Sequence, residues 1–176
     1  MQSGKNVAIL AGGTSQERVI SLLSAEQVQH WLEATEYKPY IIDVQGASWL
    51  YTLPDGRSVQ VDKNTFSLPF REGIISLDLA FLATHGTPGE NGLLQGYLEM
   101  MNIPFTTGNT FSQAISFHKS ACKRYLKGVV PLLPSIDLQR VEDLDIEQVF
   151  REIGFPLFVK PNDNGSSVGV TKVNNP

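Results

Sequence analysis

The chain has 176 residues, of which 41% are hydrophobic and 18% are charged, and its formal net charge is −4. This length and composition predict a soluble globular protein with one ordinary domain, or one domain plus part of another, and they argue against disorder. The net negative charge argues against a nucleic-acid partner. No apolar run approaches the roughly 20 residues that span a membrane. The single cysteine, Cys122, favours a reduced, cytosolic protein.

The first predicted element is a buried strand that ends in a glycine turn. Residues 6–11 form a continuous apolar run, which is typical of a parallel strand covered on both faces. Helical spacing then predicts a helix over about residues 15–31, with Ser15 as its N-cap. Its buried side is expected to carry Val19, Leu22, Leu23, Val28 and Trp31. Gly12 and Gly13 lack the G-x-G-x-x-G spacing, so we reject a dinucleotide fingerprint.

More strands and a short helix complete the predicted first domain. The strands are expected at residues 37–44, 49–53, 58–61 and 77–83. Asp55-Gly56 suits a turn with positive φ, so the second and third of these should form a β-hairpin. The last strand ends in a polar, glycine-rich loop, residues 84–92, at the edge where open α/β sheets bind ligands. A short helix is predicted over residues 93–101.

After about Thr110 the pattern predicts a second, smaller domain. Its expected elements are a helix over 111–127, an extended linker over 129–134, a strand over 136–140, an amphipathic helix over 145–153 that ends at Gly154, and strands over 156–159 and 168–173. Three strands and two helices cannot enclose much of a core. We therefore expect the second domain to be incomplete in this sequence.

The loop between the last two predicted strands suits an anion. Lys160 ends the first strand and supplies a compact positive charge. The turn that follows offers backbone N–H groups and hydroxyls, and its residues are Gly165, Ser166, Ser167 and Gly169. Taken alone, this stretch fits an ordinary surface hairpin with a solvated lysine equally well. It is not a P-loop, because the G-x-x-x-x-G-K-[ST] spacing is missing and no helix follows.

Several stretches together resemble the D-alanine–D-alanine ligase family. The matches are residues 12–25 for the first motif, 85–96 and 103–104 for the second, Lys119 with Lys123 for the start of the ATP-binding domain, and 155–161 with 165–169 for its phosphate-binding loop. They follow the family's order and span nearly the whole chain. Each match alone is weak, but together they are strong.

The resemblance implies an α/β fold of the ATP-grasp class. A Rossmann-like (pre-ATP-grasp) parallel sheet with helices on both faces would occupy residues 1–108, and an incomplete α+β ATP-grasp central domain would occupy residues 109–176. The implied activity is ATP-dependent ligation of two D-alanines through an acylphosphate, for peptidoglycan synthesis in the cytoplasm. ATP and Mg²⁺ would be the cofactors, with the metal ligands outside this sequence. The implied partners are D-alanine, ATP and a second copy joined through the first domain.

The resemblance also implies roles for individual residues. Glu17 matches the glutamate that holds the ammonium of the first D-alanine, and Ser166 matches the serine that links this glutamate to a mobile lid. His85 matches a histidine near the reacting centre. Lys119 and Lys160 match two lysines on the ATP phosphates. The phosphate-binding turn is matched by Gly165, Ser166, Ser167 and Gly169. We expect Glu17 to face Lys160 and Ser166 across one cleft.

The sequence departs from the family pattern in several places, which include residues 91, 106–109 and 118 and the hairpin around residues 55–56. Asn91 and His118 each stand where the family usually has aspartate, and His118 is expected to be an ordinary surface or helix residue. The departures do not fall on Glu17, Lys160 or Ser166. The family's magnesium ligands, transition-state arginine and lid tyrosine have no counterpart in this sequence, so we expect no ligation by this chain alone.

Two other functions remain open at this stage. A D-alanine–D-lactate ligase, or another ATP-grasp carboxylate–amine ligase, would share the same motifs, because the missing lid usually decides that choice. The alternative that is not an enzyme is a non-catalytic, ligand-binding α/β module that retains an ancestral loop.

Overall fold

The structure of the chain, a computed structural model, describes residues 4–165 and 168–176. It divides into two compact units, residues 1–114 and 115–176. The predicted domain boundary after residue 108 lies shortly before this division and stays a prediction. Among the described residues, no helix is both long enough and apolar enough to cross a membrane.

A five-stranded sheet forms the centre of the first unit. The strands of this unit are β1 (Asn6–Gly12), β2 (Lys38–Gln45), β3 (Ser48–Thr52), β4 (Ser58–Gln60), β5 (Ser67–Phe70), β6 (Gly73–Ser76) and β7 (Leu79–Leu82). The order in the large sheet is β4-β3-β2-β1-β7. β1 pairs in parallel with β2 and β7, whereas β3 and β4 form an antiparallel edge. The predicted hairpin is thus confirmed, and it makes the sheet mixed because a short turn joins only antiparallel strands.

The two-stranded sheet of β5 and β6 was missed by the sequence analysis. The strands pair antiparallel around the turn at Arg71 and Glu72. That turn lacks the Asn-Gly or Asp-Gly signal of a short hairpin, and Pro69 within β5 argues against a strand. Pro69 is tolerated because β5 belongs to a two-stranded sheet and has one open edge, where a missing N–H donor costs no strand pairing.

Helices cover both faces of the large sheet. The helices of the first unit are α1 (Arg18–Glu33) and α2 (Leu93–Met100). Ile9 of β1 packs in a cluster with Val28 of α1, while Leu10 packs in a separate cluster with Leu98 of α2. Neighbouring residues of β1 therefore face two cores, which explains its continuous apolar run. The predicted α/β fold with parallel strands and helices on both faces is confirmed.

The buried face of α1 agrees with the prediction only in part: Val28 is buried and Leu22 packs against the core cluster, as predicted. Val19, Leu23 and Trp31 are 64%, 55% and 63% exposed, whereas Ser21, Ala25 and Val28 are buried. Helical spacing identifies apolar positions, but it cannot show that small residues bring the helix closest to the sheet. The predicted N-cap is also wrong, because α1 begins at Arg18 and Ser15 lies in the preceding loop.

Ser21 satisfies its buried hydroxyl by joining α1 to the ends of two strands. It accepts a hydrogen bond from the Gly12 N–H at 2.8 Å and donates one to the Ala83 carbonyl oxygen at 2.7 Å. A buried backbone N–H without a partner would be costly. This polar contact fixes the start of α1 against the carboxyl ends of β1 and β7.

The remaining elements are short helices and one strand pair. They are α3 (Thr110–Phe117), α4 (Lys119–Leu126), a 3-10 helix (Val141–Asp143), α5 (Ile146–Glu152), β8 (Leu157–Val159) and β9 (Thr171–Val173). β8 and β9 pair antiparallel, as predicted. α5 is also confirmed: Asp145 caps its start by accepting two backbone N–H bonds, and Gly154, with φ of 78°, follows its end.

Two predictions for this region are wrong. Residues 136–140 form no strand. The single helix expected over 111–127 is two helices, because His118 adopts an extended backbone between them. Its ring Nδ1 accepts the Ala121 N–H at 3.2 Å, so His118 is the N-cap of α4 rather than an ordinary helix residue. Histidine is not among the preferred capping residues, and the sequence therefore gave little sign of this break.

Candidate functional site

Two loops of the first unit lie against each other at the carboxyl edge of the parallel strands. The Ser15 hydroxyl donates to the His85 carbonyl oxygen at 2.8 Å, and the Thr14 N–H donates to the Thr87 carbonyl oxygen at 3.1 Å. Gly86 has φ of 70°, and a Cβ there would lie 3.0 Å from the Cβ of Ser15. This close approach requires glycine. The loops that were expected to carry ligand-binding residues are therefore held together.

Glu17 lies immediately before α1 and is fixed through its backbone. Its N–H donates to the Ser15 hydroxyl at 3.2 Å, and its carbonyl oxygen accepts the Ser21 N–H at 3.0 Å. The side chain is partly buried, yet its carboxylate makes no hydrogen bond or ion pair with any residue that the structure describes. A carboxylate positioned in this way is available to an external cation.

His85 lies at the same edge and is held at both its backbone and its ring. Besides the bond from Ser15, its Nε2 lies 3.5 Å from the Ser24 hydroxyl oxygen. Ser24 is itself fixed on α1, where its hydroxyl donates to the Ile20 carbonyl oxygen at 2.9 Å. The structure thus brings the start of α1, with Glu17, and the loop of His85 together.

Asn91 helps to shape the loop that follows His85. Its Nδ2 donates to the Thr87 hydroxyl at 3.2 Å, and its Oδ1 accepts the Leu93 N–H at 3.3 Å. A carboxylate at this position could only accept hydrogen bonds. Compared with the aspartate that is usual in the family, Asn91 adds an N–H donor to the loop. It keeps a side-chain oxygen that accepts the N–H at the start of α2.

Lys119 contacts the loop after β8 in the second unit. Its ammonium donates to the carbonyl oxygens of Asn164 at 2.6 Å and of Asn162 at 3.3 Å. An ammonium group has three N–H donors. Among the described residues its partners are these two carbonyl oxygens, which leaves one donor for a group outside them next to the loop that leads to Gly165.

Lys160 and the glycines of this loop lie where the sequence predicted. Lys160 directly follows β8 and is exposed, with its ammonium 5.7 Å from the centre of the Phe158 ring, an arrangement of the cation–π type. The Gly165 N–H donates to Asn164 Oδ1 at 3.0 Å. Gly169 has φ of 74°, and a Cβ there would lie 3.0 Å from Cγ of Pro161. Ser166 and Ser167 lie outside the described residues.

The donors of the second unit fit a polyphosphate ligand. The Lys119 ammonium contacts the loop after β8, and Lys160 directly precedes this loop, so both positive charges belong to the segment that would receive phosphate oxygens. In the described part of the chain, no group of three or more His, Cys, Asp or Glu side chains could hold a metal ion. A magnesium site is therefore not assigned to these residues.

Asp137 contacts the loop after β8 through the side chain of Asn162. Asn162 Nδ2 donates to Asp137 Oδ1 at 3.1 Å, and Arg124 Nη1 lies 3.8 Å from the other carboxylate oxygen. The hydrogen bond from Asn162 is the main reason that the pKa of Asp137 lies below its ordinary value, followed by a hydrogen bond from Ser120 and the charge of Arg124.

We expect Asn162→Ala to raise the pKa of Asp137 toward its ordinary value. A carboxylate whose pKa is lower in the folded than in the unfolded chain stabilises the fold above about pH 4, and this contribution is lost as the pH falls through the folded value. The variant should thus lose less stability on acidification. NMR titration of the Asp137 carboxyl measures the shift. Asn174→Ala, at an exposed position of the same unit, is the control, and an unchanged midpoint in Asn162→Ala would contradict the prediction.

The sequence analysis missed the residues that hold the site residues in place. Ser15 was interpreted as a helix cap, although its glycine-rich surroundings equally favour a loop-to-loop contact. Ser24 had no signal, because serine is a common residue in helices and its contact with His85 joins positions 61 residues apart. Asn162 stands in an Asn-Asp-Asn run that favours a turn, but its partner Ser120 lies 42 residues away.

Comparison with known proteins places this chain in a family. Residues 6–108 match the family model described as D-ala D-ala ligase N-terminus. The chain belongs to the D-alanine–D-alanine ligase family. Residues 130–176 also match the model described as D-ala D-ala ligase C-terminus, so both ends of the chain carry the family's pattern and the resemblance inferred from the motifs is confirmed.

Individual family members agree with this assignment. The D-alanine–D-alanine ligase of Azobacteroides pseudotrichonymphae is 45% identical over 173 residues, which are 97% of this chain and 53% of that protein. The structure of D-alanyl-alanine synthetase A from Vibrio cholerae has a TM-score of 0.86 at 30% identity and covers 99% of this chain and 53% of its own. The Bacillus anthracis ligase complexed with ATP has a TM-score of 0.73 at 27% identity, covering 98% and 51%. The chain spans about half the length of these relatives.

Proposed function

We propose that this chain forms the substrate-gripping part of an ATP-dependent D-alanine–D-alanine ligase. The observation that carries the proposal is the Glu17 carboxylate in a member of this family: it has no partner among the described residues, and its backbone is fixed to Ser15, which is bonded to the His85 carbonyl oxygen. The ATP complex of the Bacillus anthracis relative supports the nucleotide as co-substrate.

Glu17 would bind the ammonium group of the first D-alanine. A carboxylate is an acceptor for up to three charge-assisted N–H bonds of this kind, which are stronger than neutral hydrogen bonds. Because only the ammonium is engaged, the carboxylate of the same D-alanine stays free to react. The start of α1 is fixed by Ser15 and Ser21, so Glu17 presents the substrate in one orientation, which lowers the entropy lost on reaching the reacting geometry.

The reaction would form an acylphosphate and then an amide. A carboxylate oxygen of the first D-alanine takes the terminal phosphoryl group of ATP as the bond to ADP breaks, and ADP is the leaving group. The neutral amine of the second D-alanine then attacks the acyl carbon, and loss of one amine proton and of inorganic phosphate gives D-alanyl-D-alanine. Lys119 and Lys160 would neutralise the charge that develops on the phosphate oxygens. His85 would lie near the reacting centre. Ser166 would link Glu17 to a lid, and Ser167 with Gly165 and Gly169 would form the phosphate-binding turn.

The remaining parts of the proposal concern the setting of the reaction. Magnesium would neutralise phosphate charge in such a site, with ligands other than the residues described. The product would serve peptidoglycan synthesis in the cytoplasm, and the protein would form a homodimer through its first domain.

A hybrid enzyme tests this function. Residues 1–176 would replace the matching half of the Azobacteroides pseudotrichonymphae ligase, which shares 45% identity with this chain. We expect the hybrid to release phosphate from ATP only when D-alanine is present, and to form D-alanyl-D-alanine detectable by mass spectrometry. The unaltered relative is the positive control. A folded hybrid, as judged by circular dichroism, that releases no D-alanine-dependent phosphate would contradict the proposal.

A further inference from the structure

The start of α4 is bound to the loop after β8 through Asn162. The first N–H groups of a helix have no partner within the helix. Here the Lys119 N–H donates to the Asn162 carbonyl oxygen at 3.2 Å, and the Ser120 N–H donates to Asn162 Oδ1 at 3.0 Å. The next N–H, of Ala121, is taken by His118. A single loop residue therefore supplies two of the acceptors at this helix end.

The same two segments are also joined in the opposite direction. The ammonium of Lys119 reaches from α4 to the carbonyl oxygens of Asn162 and Asn164. We call this reciprocal set of bonds between Lys119, Ser120, Asn162 and Asn164 the clasp. Because bonds run both ways, a shift of the loop or a rotation of the Lys119 side chain would break several of them together.

The amide of Asn162 has both of its ends occupied. Oδ1 accepts from Ser120, and Nδ2 donates to the Asp137 carboxylate at 3.1 Å. Only this orientation satisfies both partners, because a carboxylate cannot donate and an N–H cannot accept. Asp137 therefore determines which way the Asn162 amide points, and the amide in turn fixes the end of α4.

We propose that Asn162 is a positioning residue for nucleotide phosphates, acting through Lys119. The clasp holds the lysine ammonium beside the loop before a ligand arrives and leaves one of its N–H donors for a phosphate oxygen. A free lysine side chain has to give up its rotamer freedom on binding, whereas a held one has already lost it. This inference rests on the proposed function, since it concerns the same phosphate site.

Four forms of the chain test the role of Asn162 by calorimetric titration with ATP·Mg. They are the unaltered chain, Asn162→Ala, the double variant Asp137→Asn/Asn162→Asp, and Asn174→Ala as the matched control. Asn162→Ala removes both side-chain bonds of the clasp residue, and we expect it to weaken ATP binding about tenfold. Asn174→Ala removes an exposed amide from the same unit and should leave the affinity unchanged.

The double variant separates positioning from simple loss of stability. It exchanges donor and acceptor without changing the net charge: the amide introduced at position 137 donates to the carboxylate introduced at position 162, which still accepts the Ser120 N–H. We expect it to recover affinity relative to Asn162→Ala. The Ser120 N–H loses its side-chain acceptor in Asn162→Ala, so its hydrogen exchange, measured by NMR, should be fast in that variant and slow again in the double variant.

The outcomes distinguish this inference from the proposed function. If the unaltered chain binds ATP·Mg and Asn162→Ala binds equally well, the positioning role is wrong while the phosphate site stands. If the unaltered chain does not bind ATP·Mg, the same four forms are compared in the hybrid enzyme. If the hybrid enzyme does not bind ATP·Mg either, the phosphate site fails and the positioning role fails with it. If Asn162→Ala does not fold, the double variant decides: recovered fold and affinity support the inference, and recovered fold without affinity overturns it.

Discussion

Leu98→Ala is expected to lower the free energy of unfolding of the first unit by about 2–5 kcal/mol. Leu98 is fully buried on α2 and shares a core cluster with Leu10 of β1. Truncation removes apolar contacts and leaves a cavity that a close-packed interior fills only partly. Urea unfolding followed by tryptophan fluorescence measures the loss in this unit alone, because both tryptophans of the chain, Trp31 and Trp49, belong to it.

Leu93→Ala is the matched control for this prediction. Leu93 begins the same helix but is 62% exposed. Its truncation should change the free energy of unfolding by no more than about 0.5 kcal/mol. If both variants lost the same stability, α2 would not cover the sheet through the face that carries Leu98.

Glu17→Gln is expected to lower kcat/KM for D-alanine about 10- to 100-fold in the hybrid enzyme. The change keeps the size of the side chain but replaces a carboxylate by a neutral amide, and hydrogen bonds to charged groups are worth about 1.5–3 kcal/mol. That range corresponds to the stated loss. Because Glu17 would hold the ammonium in both the ground and transition states, the loss should appear mainly as a higher KM. Phosphate release at varied D-alanine concentration measures it.

Glu26→Gln provides the comparison for Glu17. Glu26 lies on the exposed side of the same helix, so the variant makes the same charge change away from the sheet edge. It should have wild-type kinetics. An equal loss in both variants would mean that the charge of α1, rather than a contact of Glu17 with substrate, affects the reaction.

The sequence predicted the elements whose signals are local. The double-faced burial of β1, the Asp55-Gly56 hairpin and the Asp145 cap with Gly154 all depend on residues near in sequence, and each is confirmed. The predicted buried face of α1 is confirmed at Val28 but wrong at Val19, Leu23 and Trp31. Small residues lie at the sheet instead, and Ser21 does so through hydrogen bonds to Gly12 and to the distant Ala83. Propensity and spacing contain no information on such partners.

For the candidate site, too, the sequence does not reveal contacts between residues that are distant along the chain. Motif resemblance identified Glu17, His85, Lys119 and Lys160, and their roles stay predictions. The expectation that Glu17 faces Lys160 across a cleft also stays a prediction, because the two residues belong to different units. What the motifs could not supply is how each side chain is held: the bond to Asn162 crosses 42 residues of sequence, and only the fold brings its two ends together.

The hydroxyl of Ser21 has a practical consequence for recombining this chain with its relatives. One side chain connects residue 12, at the end of β1, with residue 83, at the end of β7. Both partners of this hydroxyl are backbone groups, which any parent sequence supplies, so the contact depends on the residue at position 21. Gene shuffling of this family should therefore keep a hydroxyl side chain at position 21, whichever parents supply the two strand ends.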